Sequence, residues 1–196
     1  MSAADRIEKN FLTFQKLCRA LGNRRPEAEL LVDEMANEIA MCPASSRKSF
    51  HDCYPGGLVE YSLRVLRNAK QLNTQYDFSC SEESMILVCL FHAIGKAGDL
   101  DGPFYVPQES EWHREKLGQM FKTSDEIVPM SWNDRSLFLL QHFDVEIQQD
   151  EWIAIRMCDG VYRQSTSSYY GGHEEPGLAT LLEMAVKLAV MQGKGL

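Results

Sequence analysis

Apolar side chains recur at three- and four-residue intervals along most of this chain, the spacing that lays a stripe along one helix face. Ile7, Phe11, Phe14, Leu17, Cys18 and Leu21 form the first stripe, and Gly22-Asn23 stops it. The spacing predicts a helix over about 4–21. Pro26 suits the opening turn of a second helix, which carries Leu30, Leu31, Met35 and Ile39 to a stop near Pro43. After the polar loop ASSRKSFHDCYPGG, a third helix opens at Gly57 and runs through Leu58, Tyr61, Leu63, Val65 and Leu66 to about Leu72. Ser81 followed by Glu82 and Glu83 is a capped start with acidic residues on the first turn. The run MILVCLF behind it has no polar face, so this helix is expected to be the central, most buried one.

The pattern then breaks. From Ala97 to about Ser131 the chain is rich in Gly, Pro and aromatic residues, with one short helix expected around Trp112 to Met120. Long excursions in compact domains often shape a site. Helices recur at about 133–142, 149–159 and 177–191, the last two separated by the loop RQSTSSYYGGHEE. With no strand-rich block, repeat or linker, the expectation is an all-α fold in one domain. The length of 196 residues suits one core and is short for two.

Composition narrows the function classes. Hydrophobic content of 44% with 24% charged residues is that of a folded globular chain. A net charge of -8 argues against a broad nucleic-acid-binding face, while leaving room for a small anionic ligand in a local basic pocket. No stretch approaches the roughly 20 apolar residues of a membrane helix, and MSAADRIEKN lacks the apolar core of a secretion signal. The six cysteines (Cys18, Cys42, Cys53, Cys80, Cys89, Cys158) contain no C-x-x-C pair. Cys89 and Cys158 lie in apolar helical runs and read as buried thiols, so a cytoplasmic setting is expected.

Four fragments in order carry a resemblance: HDCYPGGLVEYSLRV (51–65), LFHAIGKAGD (90–99), NDRSLFLLQHFDVEIQQDEWIAIRMCDG (133–160) and the VYR that follows. Together they resemble the HD-domain superfamily of metal-dependent phosphohydrolases, and most closely its small members from phage and bacterial genomes. The resemblance covers roughly residues 45 to 190. It implies a single HD-domain-like helical bundle, with N-terminal helices (1–44) packed on a core of residues 45–192. A phage-encoded chain would work in the host cytoplasm.

The resemblance also implies a metal set: one histidine, a His-Asp pair and a distant aspartate. Carried over, the first histidine falls on Tyr61, the pair on His92 and Ala93, and the distant aspartate on Asp159. Two of the four ligands remain. His51-Asp52 spells the pair literally but precedes a helix-opening Gly-Gly, whereas the family pair ends an apolar helix. Some relatives carry an extra histidine at the position of His51, so His51 is expected to line the same pocket with Tyr61, His92 and Ala93. A neutral imidazole and one carboxylate are too few for a catalytic metal, which usually has three or more protein ligands. His51, His113, Asp52, Glu60 and Asp99 are the candidates to replace the missing ones. A single silencing substitution at Ala93 would leave Tyr61 unexplained.

Two functions follow from different classes. In the first, the frame has lost hydrolysis and serves as a nucleotide- or protein-binding module, with no cofactor expected. In the second, it is an active phosphohydrolase on a nucleotide or other phosphoester. It would then use Mn, Fe, Ni, Co or Zn on a rebuilt ligand set that includes His92 and Asp159. Lys96 and Arg135 would contact phosphate; a cation at a helix start, as at Arg135, is otherwise unfavourable. Each role has a plainer alternative: His92 as a hydrogen-bonded core histidine, Lys96 as a helix-end cation, and Asp159 paired with His92 or Arg163. His113, His142 and His173 read as surface residues. Trp112, Trp132 and Trp152 read as core, with Trp112 able to cover a ligand. Homo-oligomerisation is plausible by the resemblance alone.

Overall fold

A computed structural model describes residues 2–158 and 176–194, and it is all-α apart from one small hairpin. Asp159, the VYR at 161–163, His173 and the Ser/Tyr/Gly loop lie outside the described residues. Helix α1 (Ala3–Cys18) starts at Ser2, whose hydroxyl accepts from the Asp5 N–H while the Asp5 carboxylate accepts from the Ser2 N–H. The single helix expected after Pro26 is two, α2 (Arg25–Glu34) and α3 (Ala36–Met41). The chain bends at Met35 (φ -108°, ψ 24°), which lets Leu31, Val32, Met35 and Ile39 all reach the core. No Gly or Pro marks that bend in the sequence.

Helices α4 (Gly57–Tyr76) and α5 (Glu82–Phe91) follow. The Ser81 hydroxyl accepts from the Ser84 N–H as a cap, and every residue from Ser84 to Phe91 is buried. Each large apolar side chain so buried is worth about 1.5–3 kcal/mol over its exposed state, so α5 is the natural centre of the fold. Helices α1, α4, α8 (Gln149–Met157) and α9 (Gly177–Gly193) all pack against it.

The excursion holds more order than its composition predicts. Besides α6 (Glu111–Leu117), it contains strands β1 (Tyr105–Pro107) and β2 (Phe121–Thr123), paired antiparallel with Val106 opposite Lys122. Three-residue strands are too short for alternation to announce them. Helix α7 (Trp132–His142) then returns the chain to the core. The reading of the tryptophans needs correction: Trp112 and Trp152 are 58% and 40% exposed, and only Trp132 is largely enclosed. No disulfide joins any of the six cysteines, and Cys89 and Cys158 are buried as expected. Among the described residues, no helix is long and apolar enough to cross a membrane.

Candidate functional site

Three of the four residues at the resemblance's ligand positions, Tyr61, His92 and Ala93, meet where the start of α4 faces the end of α5. Two glycines set the approach. Gly56 takes a left-handed φ of +84°, and a Cβ on Gly57 would stand 2.1 Å from the Asp52 carbonyl oxygen. One turn into α4, Tyr61 is buried beside His92, which is itself wholly buried at the end of α5. The Tyr61 hydroxyl lies 3.1 Å from His92 Nε2, and His92 Nδ1 lies 3.0 Å from the Cys89 carbonyl oxygen. A carbonyl can only accept, so Nδ1 carries the ring proton and Nε2 accepts from Tyr61.

Burial, reinforced by the charge of Lys96, lowers the His92 pKa to about 3. Burial likewise pushes the Tyr61 phenol well above its usual value. The pair is therefore neutral. Ala93, fully buried, follows with φ -114° and offers no side-chain donor or acceptor.

A cation and an aromatic wall complete the cluster. The Lys96 ammonium lies 4.8 Å from the Trp132 ring centroid and 5.6 Å from that of Tyr61, and donates to the Ala44 carbonyl at 2.9 Å. Burial lowers its pKa from the ordinary lysine value. The His51 ring stands 4.7 Å from the Tyr61 ring, so His51, Tyr61, His92 and Ala93 come together in one cluster. Ser136 on α7 fastens it. Its hydroxyl accepts from the Gly95 N–H at 2.9 Å and lies within donating distance of the His92 and Trp132 carbonyls (3.0 and 2.9 Å).

His51 also joins an adjoining hub around Asp52. Arg64 grips the Asp52 carboxylate through both ends of its guanidinium at 2.9 and 3.0 Å, while Tyr54 donates at 3.0 Å and His51 Nδ1 at 3.1 Å. Burial alone would raise the Asp52 pKa, but the hydrogen bonds from His51 and Arg64 outweigh it and the carboxyl sits below its usual value. Burial lowers the pKa of His51 despite its contact with Asp52.

Arg135 lies elsewhere again, fully buried, paired with the Asp99 carboxylate and donating to the Val128 carbonyl at 2.6 Å. An internal carboxylate thus answers the oddity of a cation at a helix start. Of the other candidate ligands, Glu60 pairs with Arg6 and Arg64, and His113 bonds Ser110.

Among the described residues, the donor set of Tyr61, His92 and Ala93 does not fit a divalent metal. The His92 lone pair is taken, the Tyr61 phenol is held neutral, and Ala93 has nothing to give. Among the described residues, no three His, Cys, Asp or Glu side chains come together closely enough to hold a metal ion.

No family model, curated protein or solved structure matches the chain.

Sequence reasoning brought His51, Tyr61, His92, Ala93 and Lys96 to one region. It missed the partners that decide what they do: Trp132 beneath the lysine, the Ala44 and Cys89 carbonyls, and Ser136. Backbone acceptors leave no mark in a sequence. Ser136 had a faint one, a small polar residue one turn after Trp132 in an apolar helix.

Proposed function

We propose that this chain is an HD-domain-like frame without hydrolase chemistry, working as a protein-binding module. The observation that carries the reading is the Tyr61–His92 hydrogen bond, which occupies the lone pair a metal would need. A nucleotide-binding version is less well supported. Lys96 is buried with its ammonium on the Ala44 carbonyl, and Arg135 is buried with its charge answered by Asp99, so neither cation faces outward to receive phosphate. The net charge of -8 adds a repulsive background for polyanions. Recognition is then left to the outer surface. Six cysteines without a disulfide support a reducing, cytoplasmic setting.

The test is metal content by mass spectrometry after separate loading with Mn, Fe, Ni and Zn and desalting. The expected result is far below one equivalent, with binding gained in the double variant Tyr61→His/Ala93→Asp. Near one equivalent in the natural chain would overturn the reading. So would metal-stimulated turnover of deoxynucleotides or of cyclic or linear oligonucleotides that disappears in His92→Gln.

A further inference from the structure

We infer that the groove between α7 and α8 is a docking site for a short amphipathic helix carrying Lys or Arg beside its apolar stripe. This deepens the protein-binding reading and rests on it.

The groove measures about 540 Å³. Its floor is built from the buried Leu137 and Val145, and its walls from Phe138 and Trp152, which are 44% and 40% exposed. Other aromatic side chains are as exposed, Trp112 among them, but these two stand over one apolar floor, and aromatic anchors of this kind dominate interface energies.

Charge selects the occupant. The ionisable residues lining the groove are all acidic: Asp134, Asp144 and Glu146. Asp134 is answered by Arg156 at 2.9 Å. Asp144 and Glu146 are exposed on the α7–α8 connection and have no ion-pair partner among the described residues. Two exposed carboxylates beside an apolar floor favour a partner that brings both apolar and cationic side chains. A second copy would instead bring the same two carboxylates and a further net charge of -8. Helix α7 has 11 residues, so a partner helix of about three turns, near 16 Å at 1.5 Å per residue, matches its length. Such a helix presents apolar anchors at i, i+3 or i+4, and i+7.

The experiment uses the whole chain and two dye-labelled helical peptides of about 14 residues. Both carry Leu at i, i+3, i+7 and i+10; one has Lys at the flanking positions and the other Glu. Fluorescence anisotropy should show saturable, salt-weakened binding of the Lys peptide only. Phe138→Ala, and separately Asp144→Lys/Glu146→Lys, should each weaken it by at least about tenfold, and the charge-reversed variant should gain the Glu peptide. Both carboxylates are exposed, and because Asp144 takes a left-handed φ of 56°, Asp144→Asn/Glu146→Lys serves as a less strained second charge variant, so the matter is decided even if Phe138→Ala unfolds.

Failure of the Lys peptide to bind would overturn the inference, as would equal binding of the two peptides or indifference to both variants. A concentration-dependent dimer in sedimentation that Phe138→Ala dissolves would overturn it in favour of a second copy. Metal content and turnover test the underlying reading separately: a metal-loaded chain that still takes the Lys peptide refutes only that reading.

Discussion

A buried imidazole with Nδ1 on a carbonyl has one lone pair left, and in His92 the Tyr61 hydroxyl takes it. This makes the histidine a stability element with a definite pH signature. Its folded pKa of about 3 lies below the ordinary 6.5, so between those values the unfolded chain binds the extra proton. Stability is complete above pH 6.5 and falls as the pH drops towards 3, by up to about tenfold in the folding constant per pH unit. His51, shifted the same way, adds to the loss, and Asp52 joins as the pH falls below 3.8, the ordinary value of its carboxyl. Urea denaturation across this range should show the slope, and His92→Gln should flatten it. A slope unchanged in His92→Gln would assign the effect to other groups. At this scale the sequence was a fair guide to place and a poor one to state. It put Tyr61, His92 and Lys96 together, but an imidazole reads alike as ligand or core residue until its neighbours are known.

The turn Ile94–Lys96 between α5 and α7 shows what a short motif does as an element. Gly95 sits where a Cβ would stand 2.1 Å from the Trp132 carbonyl oxygen and 2.7 Å from the Ser136 amide nitrogen. Backbone meets backbone there, and neither atom can swing aside. Gly95→Ala should therefore destabilise by about 3 kcal/mol or more, at the upper end of overpacking costs, measured by urea denaturation, while Gly102→Ala, whose Cβ would meet nothing nearer than 3.5 Å, lacks any such collision and suffers only its backbone strain. Helix existence was legible almost throughout, because long apolar stripes at helical spacing have few other meanings. The bend at Met35 and the hairpin of β1 and β2 were not. The first follows from where the core lies, and the second from hydrogen bonds between strands of three residues each.

Across the whole molecule, the Asp52–Arg64 pair ties the loop before α4 to the last helix. Arg64 also donates to the Ala189 carbonyl, 125 residues away, and Gly193 lies so close that a Cβ would stand 2.5 Å from the carboxylate. Removing one partner of a buried pair leaves an unanswered charge, so Arg64→Met should cost about 3–5 kcal/mol by urea denaturation. The double variant Asp52→Asn/Arg64→Met should cost less than the sum of the single changes. Additive costs would mean that the two residues act independently. The sequence offered "HD" at 51–52 as a decoy for chemistry and gave no sign of this longer reach. Contacts between distant residues are decided by the packed whole. The same reach bears on synthesis. Leu178, Leu181, Leu182 and Ala185 of α9 cover ground that α4, α5 and α8 cannot cover for one another. While a ribosome is still adding residues short of about 193, the apolar side of the bundle stands open to water. Only with α9 in place is that side covered.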